Sequence, residues 1–130
     1  VSVIGNVADK LDLKLYPKFK FLGFVESIEE HFMTSKLMVA PLRFGAGVKG
    51  KIGQAFEYFL PVVTTDIGAE GMQLANEKNV LIANDEQSFA EAIIQLNNNE
   101  NLWNTLSENS VDSLRPFSTQ AVNETLKKII

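Results

Sequence analysis

A glycine-rich loop between an apolar run and an amphipathic segment constrains the fold of this chain more than any other feature. Residues 41–51 read PLRFGAGVKGK, and they follow an apolar run, 37–40, that predicts a buried strand. Residues 52–59 place apolar side chains at steps of three and four, which indicates a helix, and 61–65 (PVVTT) predict a β-branched strand. The sequence therefore predicts a strand–loop–helix–strand unit of a parallel sheet.

The position of this loop suggests a binding site for a phosphate or a diphosphate. The start of a helix bares backbone N–H groups, its dipole favours negative charge, and glycines let a ligand approach the backbone closely. Arg43 and Lys51 are candidate counter-charges, although either could be a solvated surface residue. The glycine spacing is neither that of a P-loop nor that of the dinucleotide fingerprint, so a flexible surface loop is the alternative interpretation.

The rest of the chain continues the alternation of strands and helices. Further strands are predicted at 1–4, 19–25 and 79–83, a short helix near 8–15, and helices that follow Ser27, Asp85 and Ser118, each a good N-cap. Short apolar strands alternating with helices predict an α/β, Rossmann-like three-layer sandwich with a five-stranded, mostly parallel sheet. Ligands bind at the carboxyl ends of such strands, where the loops 23–26, 41–51 and 65–71 could converge.

Composition narrows the functional classes. The 130 residues predict one domain, and the net charge of -4 argues against nucleic acid as a partner. The chain has no cysteine, which excludes disulfides and thiolate zinc sites and fits a cytoplasmic location, and His31 has no second histidine for a metal site. We expect no metal and no cofactor. No apolar run approaches the roughly 20 residues of a membrane span, and we expect no signal peptide.

The first residues suggest a piece of a longer protein. The chain begins at Val1 without a methionine, and residues 1–4 already read as a core strand. We therefore expect further chain before Val1.

The order of these segments resembles the C-terminal half of GT-B glycosyltransferases of the GT4 type (glycosyl transferases group 1). The resemblance rests on FLGFV at 21–25, MVAPLRFGAGVKGKI at 38–52, PVVTT at 61–65 and GAEG at 68–71, and it extends over essentially the whole chain. It implies a Rossmann-like domain that binds a nucleotide-diphosphate sugar, while a missing N-terminal domain binds the acceptor. Because the first strand of that domain would lie before Val1, we expect the strand order 2-1-3-4-5, or a vacant place filled by another chain.

The resemblance implies retaining transfer of a hexose without a metal, and it assigns roles to particular positions. The glycine loop would lie against diphosphate and sugar, the turn at Phe24 near the base, and Gln54 at the ribose hydroxyls. The implied donor-binding residues are Phe24, Val25, Arg43, Gly45, Ala46, Gly47, Val48, Lys51, Gln54 and Glu70. No catalytic residue is assigned. We expect the isolated chain to be inactive, and membrane contact to occur only through the missing half.

Two departures from the family pattern keep other functions open. The paired glutamates of the family would fall on Ala46 and Gln54, and neither is a carboxylate. An amide can hydrogen-bond a diol but lacks the strength of a charged acceptor. A degenerate, non-catalytic interaction domain of the same fold is therefore one alternative, and a sugar-nucleotide epimerase-like enzyme is another. The apolar stripe of the last helix could also be buried by a second copy of the fragment, giving a homodimer.

Overall fold

The structure is a computed structural model that describes residues 1–6 and 10–130, and these divide into two compact units. Unit 1 is Val1–His31 and unit 2 is Phe32–Ile130. The prediction of a short helix near 8–15 falls partly outside the described residues. Within them, Leu13–Leu15 form a 3-10 helix that Asp12 caps through the amide of Lys14.

Unit 1 is built on two parallel strands, β1 (Ser2–Ile4) and β2 (Lys20–Gly23). Val3 pairs with Phe21, and the register shifts before Ile4, which faces Gly23. Helix α1 (Glu29–Thr34) begins in unit 1 and ends in unit 2, close to the end predicted near residue 35. The Ser27 hydroxyl donates to the Glu29 carboxylate at its start.

Unit 2 contains a parallel sheet in the order β3–β4–β5, formed by Met38–Ala40, Val62–Thr64 and Leu81–Ile82. The central strand β4 is buried along its whole length, as expected for a strand that is covered on both faces. The helices of unit 2 that follow β3 are α2 (Gly50–Glu57), α3 (Asp66–Ala69), α4 (Glu86–Asn98), α5 (Glu100–Asp112) and α6 (Thr119–Ile129). Residues Arg115–Phe117 form a second 3-10 helix.

Adjacent residues of β4 contact helices on opposite faces of the sheet. Val63 belongs to a buried cluster with Leu81, Leu96 of α4 and Leu106 of α5. Thr64 lies on the other face, beside α3, because successive side chains of a strand alternate. The prediction of an α/β domain with a parallel sheet and helices on both faces is therefore confirmed for unit 2.

The helix caps confirm several boundaries that the sequence predicted. Asp85 and Ser118 accept hydrogen bonds from the amides of Ser88 and Ala121 at the starts of α4 and α6. Asn99 ends α4 and caps α5, so the chain turns between the two helices at this residue. The spacing of Leu102, Trp103 and Leu106 predicts a short helix, and α5 is longer than that.

The single sheet in the order 2-1-3-4-5 is not what the structure shows. The described residues form two sheets, β1–β2 and β3–β4–β5, and all their pairings are parallel. Apolar alternation indicates which face of a strand is buried, but it does not specify which backbone edge is paired. The predicted neighbours within each group were right, whereas the ladder from β1 to β3 is absent from the described residues. That the chain is one domain stays a prediction.

Two glycines of unit 2 should respond oppositely to the same substitution. A Cβ on Gly68 would lie 1.9 Å from Thr64 Oγ1, which donates a buried hydrogen bond of 2.8 Å to the Ala40 carbonyl. Gly68→Ala should therefore lower the free energy of unfolding by about 2–3 kcal/mol. In a Thr64→Ala background the same change should cost much less, since the obstructing hydroxyl is gone.

Gly53→Ala is the matched control, because Gly53 lies inside α2 and its Cβ would make ordinary contacts of 3.8 and 3.9 Å. It should raise the free energy of unfolding by about 0.5–1 kcal/mol. Urea unfolding followed by circular dichroism measures both changes. Equal stability of Gly68→Ala and the unchanged chain would contradict the packing described for Thr64.

The cap of α4 should make stability depend on acid pH. The pKa of Asp85 lies below its ordinary value of 3.8, chiefly because the Ser88 hydroxyl and then the Ser88 amide donate hydrogen bonds to the carboxylate. A lowered pKa in the folded state contributes stability that is present above pH 3.8 and is lost as the pH falls through the folded pKa. Ser88→Ala should move the carboxyl titration, followed by NMR, back toward 3.8. An unchanged titration would show that Ser88 is not the cause.

Candidate functional site

The carboxyl ends of three parallel strands meet at one edge of unit 2. Strand β3 ends at Ala40 and leads into the glycine loop, β4 leads into Thr65 and α3, and β5 leads into Asn84 and α4. Parallel pairing places these ends at the same edge of the sheet. Two of the loops that the sequence predicted to lie at such an edge, 41–51 and 65–71, are therefore neighbours.

Side-chain hydrogen bonds hold this edge together. The Thr65 hydroxyl donates to the Leu42 carbonyl at 2.7 Å, which ties the first turn after β4 to the start of the glycine loop. Asn84 accepts from the amide of Asp66 at 2.9 Å and donates to the Asp66 carboxylate at 2.7 Å. The loops that follow the strands are thus fastened to one another near the sheet. Sequence analysis did not assign a role to Thr65, Asp66 or Asn84, although polar residues directly after predicted strands were a signal for one.

The glycine loop presents its backbone amides without internal partners. Among the described residues, no backbone amide from 43 to 51 donates a hydrogen bond, and residues 43–48 are exposed. Gly45 and Gly47 have φ angles of 134° and 71°, in the region that only glycine occupies readily. These amides are available to a ligand or to solvent.

Helix α2 begins without the side-chain cap that the four following helices have. Its N-cap is Lys49, whose side chain makes no capping hydrogen bond, whereas Thr65, Asp85, Asn99 and Ser118 each accept one at the starts of α3 to α6. The first amides of α2 therefore add to the unpaired donors of the glycine loop. This end of the helix favours negative charge.

Lys49 is the residue in this loop that sequence analysis missed. Its ammonium group donates to the Gly47 carbonyl at 2.6 Å, and its Cε lies 3.5 Å from the position that a Cβ on Gly45 would occupy. The side chain is half-buried, while Lys51 is exposed. A lysine at a position where an acceptor usually caps the helix was the signal that could have identified it.

The two predicted counter-charges have partners outside the glycine loop. The Lys51 ammonium donates to Gln54 Oε1 at 3.1 Å, one turn along α2. Arg43 lies 3.6 Å from the Glu86 carboxylate, and both side chains are more than four-fifths exposed, at 83% and 94%. An ion pair this exposed contributes little stability, so Arg43 can leave it easily.

The loop after β4 contacts the backbone of the glycine loop. A Cβ on Gly71 would lie 3.5 Å from the Gly47 carbonyl carbon and 3.6 Å from the Val48 amide nitrogen, so the two backbones are in close contact. Glu70 directly precedes this contact and is exposed. The structure therefore brings the chain at Glu70 close to the predicted phosphate loop.

Two of the predicted donor-binding residues belong to unit 1. Phe24 is 81% exposed and Val25 is half-buried, and both follow β2. Their contact with the base of a nucleotide stays a prediction from the resemblance.

Two hollows in the surface of the described residues are lined by residues outside the glycine loop. One hollow has a volume of about 300 Å³, and its lining includes Asn79 and Ser113. The other has a volume of about 500 Å³, and its lining includes Lys36 and Trp103. In residues 1–6 and 10–130, no group of three or more histidine, cysteine, aspartate or glutamate side chains is placed to hold a metal ion. No helix in that part of the chain has the length and apolar character needed to cross a membrane.

Comparison with known proteins identifies relatives over most of the chain. The sequence model of the glycosyl transferases group 1 family matches residues 2–99. An "Uncharacterized 44.6 kDa protein in cps region" of Klebsiella pneumoniae is 33% identical over 101 residues, which is 72% of this chain and 26% of that protein. The chain thus spans about a quarter of the length of this relative.

Solved structures share the fold at low sequence identity. HepE of Anabaena, solved in complex with UDP-glucose, has a TM-score of 0.79 and 20% identity, and the match covers 98% of this chain and 40% of HepE. TarM gives 0.80 and 22% identity over 98% of this chain and 28% of TarM. The C-terminal domain of the group 1 glycosyl transferase LpcC of Francisella tularensis gives 0.67 and 18% identity, over 78% of this chain and 54% of that one. The family match shows that the chain belongs to the glycosyl transferases group 1. Together with the fold of these structures, it shows that the chain has the fold of the C-terminal domain of GT-B enzymes.

Proposed function

We propose that this chain is the nucleotide-sugar donor-binding domain of a retaining glycosyltransferase that transfers a hexose. The observation that carries the proposal is the run of backbone amides from 43 to 51, at the uncapped start of α2, that donate to no acceptor among the described residues. Hydrogen bonds to a charged acceptor contribute about 1.5–3 kcal/mol each, so a diphosphate would gain substantially from several of them. The crystal structures of HepE with UDP-glucose and with UDP support a ligand of this class.

The charge distribution supports an anionic ligand. The chain carries a net charge of -4, yet residues 31–56 contain no aspartate or glutamate and include Lys36, Arg43, Lys49 and Lys51. The glycine loop therefore lies in the middle of a stretch that is locally positive. An anion would be attracted here even though the whole chain would repel it weakly.

Gln54 is the proposed contact to the ribose. Its Oε1 accepts from Lys51, which leaves the amide NH₂ group as the free donor. A ribose hydroxyl can accept from this NH₂ group or donate to the second lone pair of Oε1, whereas a glutamate only accepts from hydroxyls. Either contact allows ribose binding without the carboxylate that the family pattern has at this position.

The missing carboxylates at Ala46 and Gln54 favour one competing function, a non-catalytic interaction domain. That domain would keep the fold and lose transfer. Membership of the glycosyl transferases group 1 favours either of these functions over an epimerase-like enzyme. The two remaining candidates differ in whether the full-length protein transfers sugar.

Nucleotide binding should be visible at the glycine loop. Titration of the ¹⁵N-labelled chain with UDP, GDP and ADP should shift the amide signals of residues 45–51 with at least one nucleotide, because these amides have no acceptor within residues 1–6 and 10–130. The signals of residues 97–99, at the end of α4 and its junction with α5, should stay unchanged and serve as the internal control. If no nucleotide moves residues 45–51 at millimolar concentration, the proposed donor site is wrong.

Gln54→Glu separates the two candidate functions. In the full-length protein this change should lower the KM for the donor about fivefold, since a charged acceptor adds about 1 kcal/mol to a hydrogen bond. Gln54→Ala is the matched control and should raise the KM. Sugar transfer by the unchanged full-length protein would eliminate the non-catalytic domain, whereas absence of transfer in both the unchanged protein and Gln54→Glu would favour it.

A further inference from the structure

The cations of the glycine loop differ in what they contact. Arg43 faces the carboxylate of Glu86 at 3.6 Å, and the Lys51 ammonium faces the amide oxygen of Gln54 at 3.1 Å. The Lys49 ammonium instead donates to a backbone carbonyl of the loop itself, that of Gly47, at 2.6 Å. Among the described residues, no carboxylate lies within ion-pair distance of Lys49. The same holds for Lys51, so the two lysines differ in which neutral oxygen holds the ammonium, and only the Lys49 ammonium is held within the loop itself.

The location of Lys49 also favours it over the other two cations. The residue is half-buried and its side chain folds over Gly45, so the side chain is already ordered, although the hydrogen bond of its ammonium is exposed. Arg43 and Lys51 are exposed as whole residues. An ordered side chain loses less conformational entropy when a ligand binds.

The contact between Lys49 and Gly47 has a second electrostatic consequence. The Gly47 carbonyl presents the negative end of a dipole inside a loop whose amides would receive an anion. Because the ammonium covers this oxygen, the loop presents positive charge there instead. One side chain thus supplies a cation and removes a repulsive acceptor.

We propose that Lys49 is the residue of this chain that neutralises the diphosphate of the donor, in preference to Arg43 and Lys51. The inference rests on the proposed function, because it assigns a role within the same donor site. In the absence of a ligand the ammonium is held by the Gly47 carbonyl, and on binding it contacts a phosphate oxygen. Lys49 is therefore a binding residue whose main effect is on the number of phosphates that the site recognises.

The test compares nucleoside diphosphates with monophosphates in charge variants. Dissociation constants of UDP, GDP and ADP and of their monophosphates are measured by NMR titration for the unchanged chain, Lys49→Gln, Lys49→Arg and Lys51→Gln. Lys128→Gln, at the end of α6, is the control for the change in net charge. We expect Lys49→Gln to weaken diphosphate binding about tenfold and to remove most of the preference for diphosphate over monophosphate. Lys49→Arg should keep that preference, and Lys51→Gln should change it little.

The outcomes separate failure of this inference from failure of the proposed function. If the unchanged chain binds a diphosphate and Lys49→Gln binds it equally well, the assignment of Lys49 is wrong and the donor site stands. If Lys49→Gln weakens diphosphate and monophosphate by the same factor, Lys49 only holds the loop in shape, and the assignment is again overturned. If the unchanged chain binds none of the nucleotides, the proposed function is wrong, and so is the assignment of Lys49.

Discussion

The hydrogen bond from the Thr64 hydroxyl to the Ala40 carbonyl determines where the glycine loop leaves the sheet. It adds a side-chain tie to the backbone ladder between β3 and β4, at the last paired residue of both strands. Gly68 is needed at the adjacent position of α3, since any Cβ there would collide with this hydroxyl. The start of the loop, the end of β4 and the first turn of α3 therefore depend on one buried contact.

The loop that this contact positions has an unusual hydrogen-bonding state for a folded chain. Most helices of unit 2 satisfy their first amides with a side-chain oxygen, whereas α2 begins at a lysine. Exposed amides can bind water without a large cost, so the fold tolerates the arrangement. The same amides, together with three nearby cations, form a surface suited to an anion within a chain of net negative charge. Capping these amides would stabilise the fold, whereas the proposed binding function needs them uncapped. The loop has the uncapped arrangement.

Much of the local structure could be predicted from the sequence. The apolar run before the loop, the β-branched PVVTT strand and the N-caps at Asp85 and Ser118 correspond to elements of the structure, because each rests on interactions between residues close in sequence. The five-stranded order is not confirmed, and the reason is the opposite one. Pairing of strand edges depends on backbone hydrogen bonds between distant segments, and no side-chain pattern reports them.

The candidate site, like the fold, was predictable from the sequence only in part. The sequence by itself determined that a glycine loop with nearby cations follows a strand and precedes a helix, since glycine content, charge and apolar spacing are properties of the chain. Only the tertiary structure decided which group each of these cations contacts. Lys51 is drawn to Gln54, Arg43 to Glu86, and Lys49 to the Gly47 carbonyl. The Arg43 contact depends on where α4 begins beside the loop, which is set by long-range packing that the order of residues does not display. The two lysine contacts are local, and they depend on the backbone path of the loop and of α2, which side-chain patterns do not report.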